Sequence, residues 1–369
     1  MALQTSGQIS LNDLHVEAGG SSGSQVSLND ADVRDMIDKS SGSQMAMNEW
    51  YGATSGNEVA GAHLFVQDPT QNTERDIGSS TYTFTVPTGV LNISVVCIGQ
   101  GAVGGTGNNS FRRWYYQSNG GGFGGGGLAY KNNIDVVAGQ TFTVTLNNSY
   151  ARFYRAGVCD VRGNAGNMKS GGSYSGGDGG GNGGSGGSNN AGSNNDVTFY
   201  AGSGGGGAGG YGGSGGEGGS AYAPPNAGRS GANGSNGGGG GGGNMWTDQQ
   251  GSGYGGGHYG GGTAPFGQGS NGSGGAGDSL STSYNNGTQG GGGSSNTSNF
   301  PSTSESNGDR VFFGAGHFVG YADIAPGSSL PNPAARNTVR GCVRVVWGLG
   351  SGQAFPSTDV AFRDGESTN

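Results

Sequence analysis

The chain has 369 residues, of which 90 are glycine and 10 proline; 11% are charged, 30% are apolar, and the net charge is −8. Such a composition belongs to disordered or fibrous chains, but charge this sparse cannot hold a chain open, and collagen is excluded because glycine is far more frequent than one in three in the main tracts and proline is scarce. The acidic balance argues against nucleic acid as a partner, and no apolar stretch is long enough to span a bilayer.

Residues 1–55 carry a short internal repeat. Ser6-Gly7-Gln8-Ile9-Ser10-Leu11-Asn12-Asp13 returns as Ser22-Gly23-Ser24-Gln25-Val26-Ser27-Leu28-Asn29-Asp30, and loosely as Ser41-Gly42-Ser43-Gln44-Met45-Ala46-Met47-Asn48-Glu49. Each copy predicts an extended piece followed by a capped short helix. The second copy has the strongest helical pattern, near Asp30–Lys39, with Val33, Met36 and Ile37 on one face. Units this small do not bury their apolar faces alone, so Ile9, Leu11, Val26, Leu28, Met45, Met47, Trp50 and Tyr51 are the candidate residues of an attachment segment. The opening residues have neither a charged region nor an apolar core of the kind that marks a signal peptide, so synthesis in a cytoplasm is expected.

Residues 56–80 read as a linker or a loosely packed strand, with Leu64, Phe65 and Val66 their only apolar cluster. Alternating patterns then predict strands at Tyr82–Val86, Leu91–Ile98, Leu128–Val137 and Thr141–Leu146, and a last one within Gly341–Gly348. The expectation is a mainly β protein: a sandwich-like frame at 81–147 and 309–350, and a glycine-rich block at 148–308 inserted through its loops. Together these form one domain, 81–350, with a C-terminal tail at 351–369. Cys97 and Cys342 lie in apolar strands and read as buried reduced thiols. Cys159 falls in a loop-like stretch.

Within the block, the non-glycine residues from Gly204 onward fall at Ala208, Tyr211, Ser214, Glu217 and Ser220, every third position. Period three is the repeat of an extended left-handed helix with three residues per turn. Two faces of each turn are then bare backbone, and neighbouring helices can approach closely enough to bond amide to carbonyl. The expectation is a block of packed polyglycine II helices, with Tyr211 packed inside the triplet repeat. Segments between tracts become the loops, where recognition concentrates. They hold Arg112, Arg113, Trp114, Tyr115, Tyr116, Trp246, Tyr254, Tyr259 and Phe266, candidate contact residues of types that dominate binding hot spots; the alternative for several of these rings is that they plug gaps between the glycine helices and the frame.

Catalytic patterns are missing. His15, His63, His258 and His317 are isolated, with no HExxH, CxxC or GxSxG, and the chain has no GxxxxGK[ST]. A calcium β-roll is approximated at Gly274–Leu280, but Asp278 stands one place early and the unit does not repeat. A flat ice-binding face is opposed by Tyr211 and Glu217. No enzyme activity, cofactor or metal is expected.

The frame resembles the glycine-rich domain family of bacteria and phages, through Phe84-Thr85-Val86-Pro87-Thr88-Gly89-Val90, the strand LNISVVCIGQGAVGG and Val137–Thr145. The N-terminal repeat and the tail, GCVRVVWG followed by Ala354-Phe355-Pro356-Ser357-Thr358, look like those of virion structural proteins of tailed bacteriophages. In composition the block is similar to the polyglycine tail-fibre tip adhesins of T-even-like phages, which ride on a separate fibre, whereas this chain carries its own attachment segment. The resemblance implies a virion protein of the tail, either a fibre or adhesin-like protein or a purely structural decoration or tail component. It implies attachment to other virion proteins through residues 1–55. It also implies a bacterial surface receptor, glycan or outer-membrane protein, at the loops. By the same analogy the protein forms a homo-oligomer, with a trimer as the family's pattern, and neither binds nucleic acid nor inserts in a membrane.

Overall fold

A computed structural model describes residues 3, 6–18, 21–30, 33–34, 36–37, 39, 42–51, 61–67, 79–88, 90–102, 122–190, 200–222, 230–236, 238–241, 245–247, 260–268, 270–275, 313–316, 340–348, 354–356 and 367–368. Its strands are β1 (Gly61–Val66), β2 (Ser80–Thr85), β3 (Asn92–Ile98), β4 (Leu128–Asp135), β5 (Thr141–Leu146), β6 (Tyr150–Arg155), β7 (Cys159–Asn164), β8 (Tyr174–Ser175), β9 (Gly179–Gly181), β10 (Asn189–Asn190), β11 (Tyr200–Gly202), β12 (Ala221–Tyr222), β13 (Met245–Thr247), β14 (Cys342–Trp347) and β15 (Ser367–Thr368). Two sheets dominate this mainly β chain: β15-β1-β14-β3-β4-β9, and β2-β5-β6-β7-β8. We call them the central and outer sheets.

The two sheets pack face to face. Val95, Cys97, Val343 and Val345 of the central sheet meet Phe84, Phe142, Val144, Phe153 and Val161 of the outer one. Alternate residues of the same central strands point the other way, and Leu64, Val96, Ile98, Leu128 and Val346 pack with Tyr211, Phe313 and Phe355. The central sheet is therefore buried on both faces, which is why Ile93–Ile98 and Cys342–Val346 are buried without a break. A strand buried on both faces reads as a continuous apolar run.

Three expectations are corrected. Of the two readings for this stretch, residues 61–66 take the strand and not the linker, and the strand is an integral one: β1 pairs along its whole length with β14 and in parallel with β15, so part of the tail also enters the central sheet. The glycine block does not begin at 148, because β6 and β7 form a hairpin of the outer sheet and bury Ala151, Phe153 and Val161. Cys159 opens β7 and is in no loop. Phe313–Gly316 lies among the glycine segments, bridging Thr263 and bonding Gly206.

Strands of the central sheet run on into glycine segments. β3 continues into 99–102, β4 is entered from 122–127, and β9 continues into 182–187. These extensions bond one another: Gly99 N–H donates to the Gly127 carbonyl, Ala102 to Gly124, and Gly125 to Gly184. Deeper in, the pattern departs from a ladder. Gly206, Gly207 and Ala208 are consecutive, yet their amides donate to Phe123, Gly216 and Gly261, in three different segments. Partners also advance in threes. Gly206 and Gly209 donate to Phe123 and Gly126, Gly215 and Gly218 to Asn182 and Ser185, and Gly184 and Gly187 to Gly207 and Gly204. Segment 204–211 bonds with 122–127, 182–187, 213–219, 238–241, 260–262 and 313–316, so it is surrounded on all sides by backbone.

Contact this close leaves no room for a Cβ. One added at Gly207 would fall on the carbonyl of Gly239, whereas one at Gly212 meets nothing nearer than 3.5 Å. Gly207→Ala is predicted to cost more than about 3 kcal/mol, and Gly212→Ala less than about 1 kcal/mol. Calorimetric unfolding of the two variants beside the parent checks this. Equal melting temperatures for both variants would contradict the close packing.

Candidate interaction surfaces

The N-terminal repeat builds one device three times. In the first copy Ser10 caps helix α1 (Leu11–Glu17): its hydroxyl accepts from Asp13 N–H at 3.1 Å, and its own N–H donates to Asp13 Oδ2 at 2.8 Å. In the second and third copies Ser27 N–H donates to Asp30 and Ala46 N–H to Glu49. Ala46 has no oxygen to return the bond, and the third copy forms only a single 3-10 turn, Met47–Trp50. Each copy is preceded by a glycine with positive φ, Gly7 at 104°, Gly23 at 82° and Gly42 at 83°. Nothing crowds Gly23 or Gly42, so the left-handed turn itself requires glycine there.

Residues before and after the caps staple inward. Ile9, Val26 and Met45 pack on a core of Leu3, Leu14, Val33, Met36 and Trp50, and Trp50 Nε1–H donates to the Val33 carbonyl at 3.1 Å. Arg34 Nη1 and Nη2 reach Asn29 Oδ1 and the Ser43 carbonyl, tying the second copy to the third. The repeats therefore bury part of their apolar surface against each other. In the second copy the described Val33 and Arg34 are helical, with Arg34 N–H donating to the Asp30 carbonyl at 3.0 Å, and Val33, Met36 and Ile37 join this core. The eight candidate attachment residues divide accordingly. Trp50 is fully buried and Ile9, Val26, Leu28 and Met45 are half-buried, while Leu11, Met47 and Tyr51 are exposed, joined by Val16, which sequence reasoning passed over. Tyr51 OH donates to the Gly7 carbonyl, holding the third copy to the first.

The candidate contact residues of the glycine-rich part fare differently. Arg112, Arg113, Trp114, Tyr115, Tyr116, Tyr254 and Tyr259 lie outside the described residues. Trp246 sits in β13, opposite Ala201 of β11, in a two-stranded ribbon where a loop was expected. Phe266 is corrected: it is completely buried, with the Arg344 guanidinium 4.6 Å from its ring centroid. A ring on a Gly- and Pro-flanked segment reads as a loop ring; here it fills the junction between the central sheet and the glycine segments.

For Phe266 the gap-filling alternative is the one that holds; the part Arg344 plays in the junction was not foreseen. Arg344 lies in β14 among apolar residues, is itself buried, and donates through Nη1 to the Pro265 carbonyl at 3.3 Å. Tyr211, buried as its place in the triplet repeat predicts, stacks on Phe355 with centroids 5.8 Å apart and lies 5.8 Å from Tyr130. Its hydroxyl donates to the Ala264 carbonyl at 3.0 Å and accepts from Gly267 N–H at 3.1 Å. Phe355 is held in turn by Asn132, whose side-chain amide bonds both its N–H and its carbonyl. The signal available in the sequence was the charged residue inside the apolar run GCVRVVWG, since a buried arginine needs a partner.

Nucleophilic chemistry is not supported by the thiols. Burial pushes Cys159 up to about 11 and Cys97 and Cys342 well above the usual thiol range, so all three stay protonated at neutral pH. Among the described residues no group of three or more His, Cys, Asp or Glu is placed to hold a metal ion, and no helix is long and apolar enough to cross a membrane. In comparison with known proteins, no protein-family model and no curated protein matches this chain.

Tyr211→Phe keeps the ring and removes both hydroxyl bonds, leaving Gly267 N–H and the Ala264 carbonyl without that partner. The expected cost is about 1–3 kcal/mol, measured by thermal or denaturant unfolding. An unchanged midpoint would show that Tyr211 contributes through its ring alone.

Proposed function

We propose that this chain is a virion protein of a tailed bacteriophage, fibre- or adhesin-like, in which a rigid glycine block presents loops to a bacterial surface receptor. The observation that carries the reading is the bonding of segment 204–211. Consecutive amides aim at three different neighbours, partners step by three, and six segments surround one. A ladder bonds in a plane at alternate residues, whereas a three-residue turn points successive amides about 120° apart. We therefore read the glycine tracts as packed polyglycine II helices inserted into the sandwich.

Rigidity is what such a block offers to binding. Loops fixed at both ends lose less entropy on contact than free ones, and a scaffold made of backbone leaves the loop side chains free to vary. The candidate contact residues are Arg112, Arg113, Trp114, Tyr115, Tyr116, Trp246, Tyr254 and Tyr259; buried Phe266 drops out. Attachment to the particle is assigned to residues 1–55, through exposed Leu11, Val16, Met47 and Tyr51. The buried members of the repeat hold that segment in shape.

The experiment separates the two ends. In particles carrying Trp114→Ala, Tyr115→Ala, Tyr116→Ala and Trp246→Ala, the chain is expected to be incorporated normally while adsorption to cells falls more than about tenfold. In particles carrying Leu11→Ser, Val16→Ser and Met47→Ser, the chain is expected to be missing when purified particles are analysed by mass spectrometry. If the first set prevents assembly and leaves adsorption of the remaining particles unchanged, the protein is a purely structural tail component. If the chain is absent from particles of the parent, the virion reading fails.

A further inference from the structure

The outer sheet has a second face, turned away from the core. Because side chains alternate along a strand, this face collects Thr81, Thr83 and Thr85 from β2, Thr141, Thr143 and Thr145 from β5, and then larger groups from β6 and β7. The register sets these groups side by side: Tyr154 stands opposite Thr143 and Asp160, and Arg152 opposite Thr145 and Arg162. Five of the six threonines are exposed and Thr145 is half-buried.

The larger groups are ordered among themselves. Arg152 clamps Asp160 with two bonds of 2.7 Å, from Nε to Oδ1 and from Nη2 to Oδ2, and its guanidinium lies 4.0 Å from the centroid of the Tyr154 ring. Arg162 lies 4.8 Å from the Tyr150 ring centroid. It approaches the same carboxylate only at 3.6 Å, and its Nε–H has no acceptor among the described residues. The Arg152 bonds hold Asp160 below the usual carboxylate range, so it stays ionised at neutral pH. Two guanidiniums thus share one carboxylate, while Arg155, on the other side of the strand, lies 5.9 Å from the core ring of Phe142 and is no part of this face. Two positive charges against one negative leave a small positive excess on a protein whose net charge is −8.

We infer that this face binds an acidic glycan, a chain of sugars with carboxylate groups at intervals. The face offers what that chemistry needs: planar guanidinium donors fixed in place for carboxylate, two tyrosines with a polar tip on an apolar ring, and rows of hydroxyls for sugar hydroxyls. Its small positive excess suits sparse charge. A densely charged nucleic acid gains little here and is repelled by the rest of the chain. This site goes beyond the receptor-contact reading, since it uses neither the glycine block nor its loops.

The test uses the full chain and an oligogalacturonate, with a malto-oligosaccharide and a single-stranded DNA oligonucleotide of matched length as controls, by calorimetric titration at low salt. Expected is binding to oligogalacturonate that weakens with added salt, with weaker or undetectable binding to both controls. Arg162→Gln is expected to weaken it about tenfold. Should Arg162→Gln disturb folding, Thr143→Glu places a negative charge on the same face at an exposed position, and it too is expected to weaken binding. Trp246→Ala is expected to leave this binding unchanged, so its result bears on the loop reading alone. No binding to oligogalacturonate, equal binding to either control, or binding unaffected by both face variants overturns the proposal.

Discussion

The main-chain hydrogen bond between segments too close for a Cβ is the constraint on which this structure turns. A chain with 30% apolar residues has little side-chain surface to bury, and glycine loses more conformational freedom on folding than any other residue. Cohesion must therefore come from backbone, and backbone bonds one neighbour per amide. Segment 204–211 resolves this by aiming consecutive amides at different partners, so that each residue adds a contact in a new direction. The bond contributes about 0.5–1.5 kcal/mol net, which is small alone, and only a bundle makes the sum cooperative. The same closeness makes the arrangement intolerant. At Gly207 the added Cβ falls on backbone that cannot yield.

Such a bundle has no apolar stripe to orient it, and the central sheet supplies that orientation. Three strands lead into or out of glycine segments, so the direction and spacing of the first bundle members are inherited from a ladder that side chains hold in place. Side chains also tie the glycine segments to that sheet through the junction of Tyr211, Phe355, Tyr130, Phe266 and Arg344. Phe123 packs on Ala102 among the glycine segments, and other large rings collect where those segments meet the sheet. Tyr211 occupies one triplet position and reaches out of the bundle to do so.

Much of the frame was legible. β2, β3, β4, β5 and β14 were all readable, four from alternation and β14 as a nearly unbroken apolar run, because period two and apolar runs are local signals. β6 and β7 escaped because Tyr150, Arg152 and Tyr154 on the outer face are as large as the residues facing in, which hides the period. β1 was readable only as a linker or a loosely packed strand, because its partners β14 and β15 lie near the other end of the chain and a lone apolar cluster carries no hint of them. The period of three in the glycine tract was plain, but which tracts meet depends on tertiary arrangement, and neither the six neighbours of 204–211 nor the burial of Phe266 has a local signature. The repeat at 1–55 was visible as a repeat; which of its apolar residues face inward followed only from the cap geometry shared by its copies.

Side chains and backbone thus divide the work along one chain. The sandwich buries apolar residues of its described strands between two layers, and its outer face is left to threonine, tyrosine and arginine. The proposed polyglycine helices need no side chains at all, so whatever stands in their loops is free of any duty to fold. The N-terminal repeat sits between these extremes, since each copy is held by a cap and a staple and closes only against its sisters. A chain built this way can change its loops or its outer face without touching what keeps it folded. The glycine segments and the junction that docks them on the central sheet are the parts that cannot change.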